Sequence, residues 1–370
     1  MKYWRGYLVA AIIFLCTWAL GQFCAAHTQL VDMVYPYITR IIMDYLAGWS
    51  ADFAGCLWQT LLVIGAVGIL ACVVLTIVLR WNPIQVTGWV LAAVSVISLL
   101  NTGMYGLNEH AGPLAEDIRL QTSDYSVGTL EQAAIYYRDM ANEYAVKVAR
   151  NSDNSVKYPA FEELAQQAGE SFTTLTYEYT YPVFSGDTTP VKQLGFTNFY
   201  EGVTGVTVGL TGESAINPNV PAIGQPIAIC KEMSRRMCIY NEADAEFAAF
   251  LACSVNSSDE FRYAAYLMAY RHCYNALAAI NSELGRDALS RVTAEVSGFV
   301  ARDMQTYGAF FGEQKDAVNE DVCKLLVSWY LQEIVDPAEE DQQEDLFDPM
   351  DESDPRVDAI INPTEPEEED

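Results

Sequence analysis

Three long apolar stretches within the first 105 residues constrain this chain more than any other feature. The segment 7–25 is apolar except for one threonine and one glutamine, and segments 57–79 and 84–105 contain no charged residue. A helix of about 20 residues, rising about 1.5 Å per residue, crosses a hydrocarbon core of roughly 30 Å. The sequence therefore predicts three transmembrane helices. The second and third form a hairpin across a turn at 80–83 that contains an interfacial tryptophan and a proline.

Two other interpretations of these stretches stay open. A cleaved signal peptide would account for the first, because Lys2 and Arg5 precede it and Cys24-Ala25-Ala26 resembles a small-residue cleavage site. Buried core helices of a large soluble protein would account for the other two. Two further stretches downstream of the first favour the transmembrane interpretation.

Between the first stretch and the hairpin, apolar residues recur at helical spacing over residues 30–46. This pattern predicts an amphipathic helix that lies at the membrane interface or against the helix bundle. Basic residues flank the N-terminus and the hairpin turn, whereas acidic residues flank the other ends of the spans. By the positive-inside rule the N-terminus and the turn are cytoplasmic. Three crossings then place everything after residue 105 outside the cytoplasm.

Residues 106–335 predict a helical domain with a small β element. Thr129-Leu130-Glu131-Gln132 fits a capping box, Ser258 is a predicted N-cap, and alternation over 206–210 predicts a short strand. The helical patterns lie near residues 129–148, 161–172, 225–238, 242–255, 259–281, 287–306 and 315–334. The predicted fold class is therefore mainly α, with a membrane region (1–105) followed by an α-rich domain (106–335).

Acidity limits the partners that this chain can have. The formal net charge is -28, and sixteen of the 49 acidic residues lie between positions 336 and 370. A segment of such composition cannot bury enough apolar surface to fold, so a disordered acidic tail is predicted, either simply solvated or loosely cation-binding. The overall charge argues against a nucleic-acid partner. The lipid bilayer is the partner that the apolar stretches predict.

Cysteine and histidine usage is less informative. Of nine Cys, four lie in or beside the apolar stretches and five in the helical domain; no CxxC pair occurs, and an odd number cannot all pair within one chain. The five in the domain are Cys230, Cys238, Cys253, Cys273 and Cys323. Three His are few for a metalloenzyme.

The most informative motifs are GESAIN at 212–217, KEMSR at 231–235 and NEADAEF at 241–247. As a set they resemble a family of bacterial membrane proteins of unknown function whose extracytoplasmic domain is similar to a gluzincin-type zinc peptidase. The resemblance extends over most of residues 30–335. It implies a zincin-like domain on the outer face of a bacterial cell membrane.

The motif departs from this family at its ligand positions. The family carries His-Glu-x-x-His, whereas this chain has Lys231 and Arg235 at the two His positions and Glu232 at the general-base position. Asp244 stands where the family has its ligand Glu. A catalytic zinc needs neutral imidazoles, a carboxylate and an open position for water, and Lys and Arg offer only hydrogen-bond donors. The sequence therefore predicts that the zinc site is lost, with no metal and no other cofactor.

We expect a salt-bridged cluster to replace the metal. Lys231 and Arg235, one turn apart, would neutralise Glu232 and Asp244, with Glu242 or Glu213 as further partners. The competing interpretation is an ordinary charged helix face. Glu213 itself is either a contact for the amino end of a bound peptide or a solvent-facing carboxylate in a turn.

The sequence thus favours a catalytically inactive, membrane-anchored relative of zinc peptidases, with a peptide-binding or regulatory role at the cell surface. An extended peptide, or a protein partner in the membrane, would bind beside the strand at 206–210 by strand addition. One alternative is a membrane-bound hydrolase that uses Glu232 or Asp244 with another metal or none. The other is a structural subunit of a membrane complex, which would bind its partners through residues 28–105. Whether the chain is an enzyme stays open at this stage.

Overall fold

Helices dominate the structure, as the apolar periodicities predict. The computed structural model describes residues 2–179, 184, 189–312 and 318–337. Its α-helices are α1 (Arg5–Ala26), α2 (Thr28–Ala51), α3 (Leu57–Val78), α4 (Pro83–Met104), α5 (Leu114–Asp117), α6 (Val127–Ala145), α7 (Phe161–Glu178), α8 (Gln225–Arg236), α9 (Glu242–Val255), α10 (Asp259–Ala279), α11 (Glu283–Ala294), α12 (Gly298–Phe310) and α13 (Glu320–Trp329). The predicted class, mainly α, is confirmed at this level.

Helices α1, α3 and α4 are each 22 residues long and apolar enough to cross a membrane. Large apolar side chains on them have no protein cover; Leu70 and Ile77, for example, are 63% and 72% exposed. Contiguous apolar surface of this extent is unfavourable in water and suits lipid. The Asn82 side chain, in the turn between α3 and α4, caps α4 by accepting from Ile84 N and Gln85 N.

Helices α1 and α4 pack closely because two glycines meet at their crossing. A Cβ atom placed on Gly6 would lie 2.4 Å from the carbonyl carbon of Gly88. One residue along each helix, the Tyr7 hydroxyl lies 2.5 Å from Thr87 Oγ1. Small residues at a crossing let two helix backbones approach and hydrogen-bond across the contact.

Helix α2 is amphipathic, as predicted, and is longer than the predicted 30–46. Its outward face carries Met33, Ile41 and Tyr45, all exposed, while Met43 and Ala47 are buried. The buried face meets the turn at Gly212, which has φ +65° and no room for a side chain; a Cβ there would lie 2.6 Å from Ala47 N. Helix α2 therefore contacts the helical domain directly.

Three short strands form the β element. They are β1 (Lys192–Gln193), β2 (Gly205–Val208) and β3 (Glu213–Ile216), in the order β1-β3-β2. Strands β1 and β3 are parallel, and β2 and β3 are antiparallel, with Thr207 opposite Ser214. The strand predicted at 206–210 lies one residue earlier and ends at Val208. Within the described residues β2 is an edge strand.

A buried ion pair joins the sheet to the membrane helices, and it corrects both interpretations of Glu213. This residue begins β3, is 2% exposed, and accepts hydrogen bonds from Leu57 N and Trp58 N, both at 2.8 Å. Lys192 Nζ lies 2.8 Å from the same carboxylate and donates to the carbonyl oxygens of Ser50, Phe53 and Gly55. The carboxylate thus binds the free backbone N–H groups at the N-terminus of α3. The ammonium binds backbone carbonyl groups at the end of α2 and in the segment that follows it.

Two local predictions in the helical domain need correction. Helix α6 begins after Ser126, and the capping box pairs Ser126 with Thr129, because the Thr129 hydroxyl itself reaches Ser126 N at 2.8 Å. The predicted helix 287–306 is two helices, because α11 ends at Ala294 and Ser297 caps α12 by accepting from Val300 N. Ser258 is the N-cap residue of α10, but its hydroxyl donates to Glu260 Oε2 instead of accepting from the backbone.

The chain divides into two units, residues 1–328 and 329–370. In the second, a π-helical turn spans Tyr330–Val335. The start of the helix predicted at 315–334 and the acidic tail beyond residue 337 lie outside the described residues.

Candidate functional site

A cavity of about 600 Å³ lies between the edge strand β2 and the helices that carry the KEMSR and NEADAEF motifs. Its position follows from the strand order of the sheet. The central strand β3 packs against α8, and the edge strand β2 therefore lies along the rim of the cavity. The lining includes Gly205, Lys231, Glu232, Arg235, Glu242, Glu246, Arg271, His272 and Tyr307. The structure thus brings four of the sequence-predicted site residues to one cavity.

Lys231 and Arg235 converge on one carboxylate. Lys231 Nζ lies 2.5 Å from Glu242 Oε1, and the Arg235 guanidinium donates to Glu242 Oε2. The two cations lie one turn apart on α8, and Glu242 begins α9, so the ion pairs tie the two helices together. Glu242 is half exposed, so the ion pairs neutralise charge at the rim and contribute little to stability.

Glu232 lies beneath this cluster and is 1% exposed. The Thr207 hydroxyl donates to Glu232 Oε2 at 2.7 Å, and the Ser214 hydroxyl donates to the Glu232 carbonyl at 2.8 Å. Burial raises the pKa of the Glu232 carboxyl, and Lys231, Arg235 and the Thr207 hydrogen bond offset only part of that rise. The result is a sequestered carboxyl held against the sheet at the edge of the cavity.

Asp244 makes a different hydrogen bond, which corrects the predicted cluster, although it borders a cavity that Arg235 and Glu242 also line. Residues 242 and 244 of a helix point in nearly opposite directions, and Asp244 Oδ2 accepts from Leu114 N at 3.2 Å. It lines a second cavity of about 710 Å³, beside Asp32, Arg40 and Asp117. Burial raises the pKa of the Asp244 carboxyl, which the Leu114 hydrogen bond partly offsets. The carboxylate that meets Lys231 and Arg235 is therefore Glu242.

The sequence did not predict a second contact between helices in the cavity. Glu246 Oε1 lies 3.1 Å from His272 Nε2, joining α9 to α10. Burial acts to raise the pKa of Glu246, but His272, with Lys231 and Arg271 nearby, outweighs it and holds the pKa at about 2. The spacing of Glu242 and Glu246, four residues apart on α9, could have predicted their shared face. The contact between Glu246 and His272 could not be predicted, because the two residues lie 26 positions apart on different helices.

The residues at the motif do not fit a zinc ion. The Lys231 ammonium and the Arg235 guanidinium hold donors where a metal needs lone pairs, and both already bind Glu242. Within residues 2–179, 184, 189–312 and 318–337, no group of three or more His, Cys, Asp or Glu side chains is placed to hold a metal. The cluster therefore consists of two cations gathered on one carboxylate.

Comparison with known protein families identifies one to which this sequence belongs. One family model, described as a protein of unknown function (DUF3810), matches residues 31–334. The chain belongs to the DUF3810 family. The DUF3810 match begins in α2 and includes the hairpin, the sheet and every residue of the cavity described above. Searches of curated proteins and of solved structures found no match.

In this DUF3810 protein, Glu232→Gln is expected to raise thermal stability near pH 8 and leave it unchanged near pH 4. A carboxyl whose pKa is raised by folding destabilises the folded state as pH rises above its ordinary value, 4.5, and the effect levels off above the raised pKa. Glutamine stays neutral at both pH values, and its side-chain oxygen can still accept a hydrogen bond from the Thr207 hydroxyl. The expected gain is on the order of 1 kcal/mol, or a few degrees in Tm.

Thermal unfolding of the full-length protein at both pH values measures this effect. Glu162→Gln, at an exposed position on α7, is the matched control and should change neither value. A loss of stability at pH 8 in Glu232→Gln would contradict the account of the buried carboxyl.

Proposed function

We propose that residues after α4 form an extracytoplasmic, zincin-like domain that binds an extended peptide in the cavity beside β2 without cleaving it. The observation that carries this proposal is the cavity itself. It combines an edge strand with the Lys231–Glu242–Arg235 cluster at the position where the resembled peptidases hold zinc. The role is recognition or regulation at a bacterial cell surface.

The proposed orientation rests on the charges that flank the three apolar helices. Lys2, Arg5 and Arg80 lie at the ends that the positive-inside rule assigns to the cytoplasm. An odd number of crossings then places the helical domain on the opposite side. The exposed apolar face of α2 follows naturally, because a helix between two spans lies at the outer lipid interface.

Peptide recognition is supported by the hydrogen bonding of β2. Asn217 N donates to Thr204 O at 2.9 Å, so 204 and 217 form a hydrogen-bonded pair of the antiparallel ladder. Such pairs alternate, and the register then directs the backbone N–H and C=O groups of Gly205 and Thr207 away from β3. Gly205 lines this cavity and Thr207 lines the cavity of about 710 Å³, so these groups are placed to pair with an added strand.

Absence of cleavage is supported by the chemistry of the cluster. Hydrolysis in the resembled enzymes needs a metal-bound water beside the glutamate base. Lys231 and Arg235 fill the ligand positions with donors, and the Glu232 carboxyl hydrogen-bonds to Thr207. A bound peptide would therefore contact the charged side chains at the rim of the cavity and the free backbone donors and acceptors of β2.

Peptide selection tests this proposal. Full-length protein in lipid nanodiscs is incubated with a pool of random octapeptides, and an enriched peptide is remade with N-methyl groups on alternate residues. Because an added strand bonds to its neighbour through every second residue, we expect one N-methyl pattern to weaken binding at least tenfold and the other to leave it nearly unchanged. Intact peptide should be recovered in both cases. Failure to enrich any peptide, or equal effects of the two patterns, would contradict strand addition.

A second candidate is a hydrolase that works without the usual zinc pair. The buried Glu232 with its raised pKa favours it, because shifted carboxyls in clefts often act as general acids or bases. Fragments that appear in the octapeptide incubation with wild-type protein and are absent with Glu232→Gln would support this candidate.

A third candidate is a structural subunit of a membrane complex. The exposed apolar face of α2, which includes Met33, Ile41 and Tyr45, favours it. Co-purification of a partner that is lost when these side chains are replaced by serine would support this candidate.

A further inference from the structure

Two cysteines from neighbouring helices touch behind the charged cluster. Cys230 on α8 and Cys253 on α9 have Sγ atoms 3.5 Å apart, and both side chains are fully buried. A disulfide brings two sulfurs to about 2.05 Å, so rotation of the two side chains could supply the remaining approach. Cys230 directly precedes Lys231.

A second pair lies on the other side of the cavity. Cys323 Sγ on α13 donates to the His272 carbonyl at 3.2 Å, which places it beside Cys273, the next residue on α10. The neighbouring Cys323 thiol and burial together raise the pKa of Cys273 well above its ordinary value. Both side chains are fully buried. Cys273 directly follows His272, the partner of Glu246.

The fifth cysteine of the helical domain has different neighbours. Cys238 Sγ lies 3.2 Å from Thr39 Oγ1. Cys56, at the start of α3, donates to the Gln193 carbonyl. The odd cysteine count of the domain, which makes the pattern unreadable in sequence, is thus resolved into two contacting pairs and a cysteine with a threonine neighbour.

We propose that Cys230–Cys253 and Cys273–Cys323 are two disulfide sites that fix the walls of the peptide cavity. One bond would link α8 to α9 beside the Lys231–Glu242 ion pair, and the other would link α10 to α13 beside His272. Covalent links at these places would hold the helix pairs together where the resembled peptidases have a metal. This inference rests on the proposed extracytoplasmic placement, since disulfides persist in oxidising compartments.

The chemistry is a two-electron oxidation for each pair. Two S–H bonds break and one S–S bond forms; two electrons and two protons pass to the disulfide of an extracytoplasmic thiol oxidase, which becomes a dithiol. The reaction proceeds through a mixed disulfide between the oxidase and one cysteine. Because all four thiols are buried in the folded domain, oxidation takes place before the helices finish packing.

Thiol trapping tests the proposal. Cells that express the full-length chain are lysed in denaturant that contains N-ethylmaleimide, so that buried thiols react, and the purified protein is digested without reductant and analysed by mass spectrometry. We expect peptides linked through 230–253 and 273–323, with Cys238 alkylated. Reduction of the oxidised protein should lower Tm by about 10 °C, because each link constrains a long loop. Cys238→Ser is the matched control and should leave both linked peptides unchanged.

A second measurement separates this inference from the proposed placement. If the trapped protein is fully alkylated, a fresh preparation that has not been alkylated is denatured under reductant and refolded with oxidised glutathione. If the same two links then form, the pairing is supported and the extracytoplasmic placement is overturned. Absent links, or links between other cysteines, in both the trapped and the refolded protein would overturn the pairing, whatever the outcome of peptide selection.

Discussion

Glu213→Ala is expected to be the most destabilising single substitution considered for this protein, at about 3–5 kcal/mol. The carboxylate accepts from Leu57 N, Trp58 N and Lys192 Nζ, all at 2.8 Å, and it is 2% exposed. Alanine would leave two backbone donors at the start of α3 and a largely buried ammonium without their anion. Unfolding should begin where the sheet meets the membrane helices.

Thermal unfolding of the full-length protein in detergent measures the effect, and a fall in Tm of about 10 °C or more is expected. Glu201→Ala, at an exposed position before β2, is the matched control and should change Tm little. Lys192→Met should also destabilise the protein, and the double variant should lose less than the sum of the two single losses, because both side chains belong to one network. Equal Tm values for Glu213→Ala and Glu201→Ala would contradict the account of this junction.

The second large effect is a gain of metal binding. Replacing Lys231 and Arg235 together by histidine is expected to bring zinc to nearly one equivalent per chain. Both native side chains reach Glu242, so imidazoles at the same positions would share that carboxylate, with water in the fourth position. Excess zinc should also raise Tm, because it binds only the folded site.

Metal analysis after dialysis, and Tm with and without zinc, measure this gain. The matched control replaces both residues by glutamine, which removes the cations without adding imidazole ligands, and it should hold no zinc. Adding Glu242→Gln to the double histidine variant should weaken zinc binding, whereas adding Asp244→Asn should have a smaller effect because Asp244 faces Leu114. A double histidine variant without zinc would show that the site geometry is not that of a former metal centre.

Much of the fold could be predicted because its signals are local. Charge-free stretches of 22 or more residues specify α3 and α4 without reference to the rest of the chain. Helix α9 begins at Glu242 and ends at Val255, as predicted, because the Asn241 side chain caps it by accepting from Ala243 N and Asp244 N. The start of α6 was predicted wrongly, because Ser126 is the N-cap residue and Thr129 is its partner within the first turn.

The site could be predicted only in part because its partners are distant in sequence. Glu213 accepts from Leu57 N, 156 residues earlier, and nothing near either residue signals the contact. The motif resemblance predicted that Asp244 would meet Lys231 and Arg235, but the rotation of α9 against α8 brings Glu242 to them. That rotation depends on packing between whole helices, which the sequence pattern does not encode position by position.

The zinc content of the unmodified full-length protein tests the central claim most directly. Protein purified without chelators, incubated with excess zinc and then dialysed should retain less than about a tenth of an equivalent, because protonated nitrogens occupy both imidazole positions. One tightly bound zinc per chain, lost in Glu242→Ala, would contradict the proposal that Lys231 and Arg235 stand where related proteins hold a metal.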